Sequence, residues 1–401
     1  MATYVPFTFS EGGASRAVLT RKIWDKILHQ RVQNKIFFKR FIGADSGHEG
    51  NIYDTTTAMP IVLKNDLERQ PGDLITMQLI NNIANDPGTS GVTGTEVLGG
   101  NEEELSFGYL KVPIDLFRKA VLIKGMMSFQ RTPIALMNEA ISQLSDSGAQ
   151  VIDNNIFKTF YSGSSYNLYR SLGLTSVPPK NHPNIIFGNV NNTTLSQLTS
   201  TMNFTTSLLE DLRVYVQINN LNPVIVDGEP YFPVIIHPSQ GKSLRNSNGW
   251  LQAMQWAWER GKQNPIFQGS IGVYAGFIFF ESNKIETVKN YAKITVSGTP
   301  ATVSESTATT FTGTDPDGAR FNGLDASVTQ SRIRGAIVLG AHSVGWAYGR
   351  QWEQVRRKED DYEELFGTGI RSIFGMKRAD WTDVDAGTVY NQSSVIVYTY
   401  D

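Results

Sequence analysis

Between Ala14 and Phe38 apolar residues recur every three or four positions: Val18, Leu19, Ile23, Ile27, Leu28, Val32 and Ile36. That period predicts an amphipathic helix. Its other positions carry Arg16, Arg21, Lys22, Lys26, Arg31 and Lys35, with Asp25 the one acid among them. Such a basic arm either packs on its own domain with a solvated cationic face or meets a partner's surface or enclosed nucleic acid. Packing is the commoner use of a charged helix.

A longer stripe follows at Ile134, Met137, Ile141, Leu144, Val151, Ile152, Ile156 and Phe160. Thr132 offers a cap, Pro133 suits the first turn because its missing N–H is not needed there, and Gly163 offers a stop. At 1.5 Å per residue the helix would span about 40 Å. "SLLEDLRVYVQINN" predicts a further helix, with Ser207 and Glu210 spaced as a capping box. "NGWLQAMQWAWERG" predicts a Trp-rich one.

Extended structure is predicted elsewhere. Residues 51–113 contain two apolar runs around Pro71-Gly72-Asp73, then the long polar stretch "NNIANDPGTSGVTGTEVLGGNEEELSF". A long loop of that kind implies a function or a partner, here an arm reaching off the body. "YFPVIIHP" reads as a strand. In "NPIFQGSIGVYAGFIFFESNKI", Gly269 and Gly272 permit tight geometry before another. From Ile285 to Arg332 the chain turns rich in Thr, Ser and Gly, which predicts a small β-rich insertion between two strands of one larger domain. "SVIVYTYD" is the expected last strand. The fold class is α+β.

Composition narrows the function. The 401 residues contain no cysteine, which excludes disulfides, thiolate metal sites and a cysteine nucleophile. Lys+Arg 36 against Asp+Glu 38 gives a net charge of -2, unlike a dedicated nucleic-acid binder. Charged residues are 18% of the chain and aromatics 11%. Low charge with many aromatic rings suits a surface partly hidden against neighbours. The N-terminus lacks a charged region followed by an apolar one, so no secretory signal is expected. No apolar run approaches the roughly 20 residues of a spanning helix, so no membrane partner is expected.

One stretch invites a catalytic reading. "AIVLGAHSVGWAYG", Ala336 to Gly349, resembles a strand-turn-helix elbow presenting Ser343 as nucleophile. That chemistry needs a base, and no histidine follows His342. His342 itself, adjacent in sequence, is poorly placed to reach the hydroxyl. A strand end at which glycines let the chain bend is the expected alternative. "HPSQGKSL" carries Gly241-Lys242-Ser243, but Ile236 stands where a phosphate loop needs its first glycine. "GSIGVYAG" has the wrong spacing for a dinucleotide fingerprint. His29, His48, His182, His237 and His342 show no metal-ligand spacing, and "DPDG" (Asp315–Gly318) and "DVDAG" (Asp383–Gly387) fit turns. No cofactor or metal is expected.

Three stretches carry a family resemblance: "LKNDLERQPGDLITMQL" (Leu63 to Leu79), "GVTGTEVLGGNEEELSF" (Gly91 to Phe107) and "FRKAVLIKGMMSFQRT" (Phe117 to Thr132). With the order of parts, they resemble tailed-bacteriophage major capsid proteins of the Hong Kong 97 fold, and more narrowly the N4-like phage subfamily. The resemblance implies an N-terminal arm over residues 1–50 and an E-loop over 51–113, lying on a neighbouring subunit. It implies a peripheral domain over 114–220 with its spine helix at 132–161. An axial domain with returning peripheral strands covers 221–401, the insertion falling at about 286–332.

Its implied function is self-assembly into pentamers and hexamers that close an icosahedral shell around double-stranded DNA, in the virion and first in the host bacterial cytoplasm. Implied partners are other copies, a portal protein at one vertex, decoration proteins, and packaged DNA touched without sequence preference. Because the chain reaches its arm at once, a separate scaffolding protein is expected. No Lys–Asn cross-link is expected. A net charge of -2 suits a container that must release DNA. Candidates for contacts between copies are Arg21, Lys22, Glu68, Arg69, Glu102, Glu103, Arg356, Arg357, Asp360 and Asp361, the last four from the blocky run "EQVRRKEDDYEELF". The alternatives are an encapsulin-type compartment shell and a serine hydrolase using Ser343.

Overall fold

The computed structural model describes residues 14–44, 59–64, 72, 74–80, 107–124, 136–163, 184–226, 228–247, 249–250, 271–285, 332–356, 365–383 and 389–401. The helices are α1 (Ala14–Lys35), α2 (Leu136–Ser162), α3 (Thr206–Ile218) and α4 (Pro238–Arg245). The strands are β1 (Ile42–Ala44), β2 (Ile61–Lys64), β3 (Leu74–Ile80), β4 (Phe107–Pro113), β5 (Asp115–Lys124), β6 (Ile185–Phe187), β7 (Val224–Val226) and β8 (Glu229–Ile236). They continue with β9 (Gly272–Tyr274), β10 (Phe277–Glu281), β11 (Ile333–Leu339), β12 (Val344–Arg356), β13 (Leu365–Arg378), β14 (Trp381–Asp383), β15 (Val389–Tyr390) and β16 (Ser394–Tyr400).

The chain forms two compact units from interleaved segments. Unit 1 comprises Met1–Lys39, Leu116–Ile152 and Arg350–Ile373; unit 2 comprises the rest. In unit 1 the apolar positions Leu28, Val32 and Ile36 of α1 are buried, as the period demanded. Asp25 accepts from the backbone N–H of Gln354 at 2.9 Å, and Lys35 pairs with Asp146 of α2. Strands β12, β13 and β5 lie side by side in that order, with β5 at the edge. Phe117 meets Trp352 edge to face at 5.8 Å. Gly148 leaves room for Trp352 and Ile370, each 3.4 to 3.5 Å from where a Cβ would stand.

Unit 2 is built on a seven-stranded sheet of order β6-β16-β11-β8-β10-β9, with β7 on β8. Alternation along each strand sorts its two faces. Phe232, Val234, Ile236, Phe277, Phe279, Ala336, Val338, Val395 and Val397 share a core with Leu208, Leu209, Leu212 and Val216 of α3. On the other parity, Phe280 meets Phe41 at 5.0 Å, and the Tyr161 hydroxyl donates to Gly335 O at 2.6 Å. Every residue of β16 is buried. A strand covered on both faces does not alternate apolar with charged positions, which explains the consecutive Val395-Ile396-Val397-Tyr398. Strands β10 and β11, which flank residues 286–331, belong to this one sheet; the insertion lies outside the described residues. A second sheet has the order β15-β14-β4-β3.

Two local expectations change. Helix α3 starts at Thr206 after Thr205, so Ser207 is inside its first turn and forms no capping box. Glu210 is engaged elsewhere, hydrogen-bonded to the Tyr274 side chain. The tight turn near "GVYAGF" is not at Gly272, which begins β9, but at Ala275 (φ 49°) and Gly276 (φ 80°). Two consecutive left-handed residues twist in the sense that a two-residue hairpin needs, here joining β9 to β10. The start of α2 near Thr132 and Pro133 and the Trp-rich segment beyond Trp250 lie outside the described residues. At its other end α2 stops at Gly163 (φ 82°), whose N–H donates to Thr159 O at 2.8 Å.

Candidate functional site

Strand β11 enters the turn Gly340–Ser343 and leaves it as strand β12, not as a helix. The elbow geometry is therefore absent, and the turn's polar groups are consumed internally. Ser343 is fully buried, and its hydroxyl faces the carbonyls of Gly340 at 2.7 Å and Ser393 at 2.5 Å. A hydroxyl held as donor to backbone oxygens has no base to take its proton. The backbone N–H groups that would form an oxyanion hole are occupied as well. Gly340 donates to Ser393 O at 2.6 Å, Ala341 to Asn222 O at 2.8 Å, His342 to Met59 O at 3.0 Å, and Ser343 to Pro60 O at 2.7 Å. Ser343 O in turn accepts from the Ala379 N–H at 2.9 Å.

The turn is thus a stitch joining four remote segments of unit 2. Gly340 is required there, since a Cβ would stand 2.5 Å from Asn222 O and 2.8 Å from Ser393 O, both backbone atoms. His342 takes the left-handed conformation at φ 57°. Burial lowers its pKa below the usual 6.5.

A second polar knot was not legible in the sequence. Arg378, 0% exposed, makes a two-point pair with Asp380, Nε to Oδ1 at 2.9 Å and Nη2 to Oδ2 at 2.8 Å. Its Nη1 donates to Phe160 O at 2.9 Å, and its backbone N–H to Gly163 O at 3.1 Å. The cation closes the C-terminal end of α2, where unsatisfied carbonyls and the helix dipole favour positive charge. Asn391 donates to Asp380 Oδ1 at 2.9 Å and accepts from the N–H groups of Ser393 and Ser394. One network therefore ties α2, the end of β13 and the start of β16.

The other motifs resolve into ordinary structure. Gly241-Lys242-Ser243 lies within α4, and His237 caps that helix by accepting from the Ser239 N–H. Burial, then the charge of Arg334, lowers the His237 pKa, against the opposing pull of Glu281. Among the described residues no group of three or more His, Asp or Glu is placed to hold a metal ion. No described helix is long and apolar enough to cross a membrane.

What remains for function is surface. In unit 1 the edge strand β5 exposes Leu116 and Leu122, which share parity with Arg118 and Ala120 on the side away from Phe117. In unit 2, Val214 and Ile218 stand one turn apart on the solvent side of α3, and Ile218 is 73% exposed. Large apolar groups left in water in this way mark contact surfaces better than scattered single ones. Of the charged contact candidates, Arg356 is exposed at the end of β12, and Arg21 and Lys22 fall within α1. Glu68, Arg69, Glu102, Glu103, Arg357, Asp360 and Asp361 lie outside the described residues.

Comparison with known proteins agrees with this emphasis. The family described as phage capsid protein matches residues 21–400. The major capsid protein of Pseudomonas phage KPP25 is 22% identical over 384 residues, covering 91% of this chain and 90% of its own. Among solved structures, the capsid of Ralstonia phage GP4 superposes with a TM-score of 0.65 at 20% identity, covering 91% of each chain. The capsid asymmetric unit of cyanophage Pam1 gives 0.63 at 20% identity, covering 90% and 91%. The chain has their fold, the Hong Kong 97 type expected from the resemblance.

Proposed function

The chain belongs to the phage capsid protein family, and from that premise we propose that it is the major, shell-forming subunit of a phage head. The observation that carries the reading is the match over residues 21–400, which takes in both compact units. The buried, internally bonded Ser343 points the same way. So do the apolar side chains left exposed on β5 and α3. Neither the hydrolase nor the encapsulin-type alternative gains an observation in its favour.

Copies associate through head-to-tail contacts that close into rings of five and six, and the rings tile a shell around double-stranded DNA. Each contact is weak alone. Once one forms, the next act at high effective concentration, so the closed shell is stable. In this reading residues 1–50 are the arm, 51–113 the E-loop, 114–220 the peripheral domain and 221–401 the axial domain with returning strands. The ten charged candidates, from Arg21 to Asp361, contribute to contacts between copies. A separate scaffolding protein directs assembly in the host cytoplasm, a portal occupies one vertex, and decoration proteins bind outside. The narrower N4-like placement rests on the three quoted stretches.

The test is expression with and without the scaffold, followed by electron microscopy. Closed shells, or rings of five and six, are expected. Dispersed monomers under both conditions, with the scaffold shown to be competent, would overturn the reading.

A further inference from the structure

Helix α4 is held at its start by an uncommon cap. His237 turns its imidazole back over the first turn, where Nδ1 accepts from the Ser239 N–H at 3.2 Å and lies 2.8 Å from the Ser239 hydroxyl. The usual caps are Ser, Thr, Asp and Asn, whose side-chain oxygens still accept in mild acid. An imidazole accepts only while Nδ1 keeps its lone pair, because both nitrogens of the protonated ring are donors. A charged ring here would face an N–H it can no longer bond and the positive end of the helix dipole.

What this cap secures reaches beyond α4. Gln240, three residues on, is fully buried, and both of its amide heteroatoms are used. Its Oε1 accepts from the His237 N–H at 3.0 Å, while Nε2 donates to Arg334 O at 3.1 Å and to Thr399 Oγ1 at 2.8 Å. The end of β8 is thereby tied to β11 and β16. The Thr399 hydroxyl in turn donates to Asp401 Oδ2 at 3.1 Å, and Ser243 of α4 bonds the same side chain. One turn after Gln240, Leu244 lies in the core of unit 2 together with Trp250.

We propose that His237 is an acid-sensitive latch on α4: uncharged, it keeps the helix seated on β11 and β16, and charged, it lets the helix go and opens the core around Leu244 and Trp250. The latch belongs to the single subunit and so goes beyond the assembly reading. Burial first, then Arg334 on β11, opposes charging of the ring, whereas Glu281 on β10 favours it. Glu281 is itself drawn to Arg245 of α4 at 3.2 Å and lies against Gly241, where a Cβ would collide with it; Lys242 of α4 is exposed. The folded pKa of His237 is thus below its usual 6.5, so the capping contribution is complete above pH 6.5 and is lost as pH falls through the folded value. Asp401, beside Arg332, responds in the opposite sense. Burial raises its pKa, so its protonation relieves a cost and cannot be what opens the helix.

The test is hydrogen exchange of the purified, unassembled full chain, read by mass spectrometry at pH 7.5 and pH 5.0 and corrected for intrinsic exchange rates. Helix α3, which contains no histidine, is the reference. Between the two pH values, protection of α4 should fall about fivefold further than that of α3, the change that loss of an N-cap typically brings. His237→Asn and His237→Ser keep a capping oxygen without the titration, so in either variant the two helices should respond in parallel. His237→Ala should show weak protection of α4 at both pH values with no further loss in acid. Parallel loss from α4 and α3 in the unaltered chain, or the same extra loss in the Asn and Ser variants, would overturn the proposal. Because shells play no part in the measurement, either result leaves the assembly reading standing.

Discussion

Arg378 and Asp380, two residues apart, hold each other through two parallel hydrogen bonds of 2.9 and 2.8 Å at the point where helix α2 ends. The arginine is fully enclosed, whereas the Asp380 side chain keeps 19% exposure. That asymmetry predicts unequal consequences. Asp380→Ala strands a buried cation and should cost about 3–5 kcal/mol. Arg378→Met leaves a carboxylate that still reaches water and the Asn391 amide, and should cost less, about 1–3 kcal/mol. Urea denaturation of the unassembled subunit measures both, and a larger loss for Arg378→Met would contradict the argument.

Ser343→Ala removes a hydroxyl bonded to the carbonyls of Gly340 and Ser393. The expected loss is about 1 kcal/mol, because Ser393 O keeps the Gly340 N–H as a donor. Shell formation should persist, and any turnover of an activated ester should be the same in variant and parent. Thermal melting and a chromogenic ester assay decide it together.

The imidazole of His342 titrates lower in the folded chain than its usual 6.5, because burial penalises the charged ring. A depressed folded pKa contributes stability that is present above pH 6.5 and is lost as pH falls through the folded value. Acidification below about pH 6.5 should therefore lower the melting temperature of the unassembled chain. His342→Asn keeps a residue that tolerates φ 57° and removes the titration, so its pH profile should be flatter on the acid side. His237 shifts in the same direction and adds to the acid sensitivity that remains. A parallel profile in the variant would reject the assignment.

Gly375 in β13 has no room for a side chain. A Cβ there would stand 1.8 Å from the Pro113 carbonyl oxygen and 3.1 Å from the Ile114 Cα, both backbone atoms that cannot rotate away. Gly375→Ala should cost about 3 kcal/mol, at the upper end of overpacking. Protease resistance of the purified subunit should fall accordingly, and an unchanged digestion pattern would count against the close approach.

Much of this architecture was legible in the residues, and the exceptions have physical reasons. The 3.6-residue period of Leu28, Val32 and Ile36 and the Val- and Tyr-rich, uncharged run of β16 report burial directly, so α1 and the final strand could be read from sequence. The Ser343 stretch could be recognised as a turn because it lacked a base. Its role as a stitch could not, since its partners Met59, Asn222 and Ser393 lie far away along the chain. The Arg378 network was hidden for the same reason, Phe160 being 218 residues distant. Ser207 and Glu210 satisfied a local rule, yet tertiary structure overrode it by giving Glu210 to Tyr274.

The place of β16 sets a timetable for synthesis. This strand lies between β6 and β11, and it leaves the ribosome after every other strand of its sheet. Until it emerges, β11 lacks one of its two neighbours, and β6 has no place in the sheet. Pairings so distant in sequence form slowly, because the long intervening loops must close first. The sheet of unit 2 is therefore closed last, by the pairing of β16 with both β11 and β6.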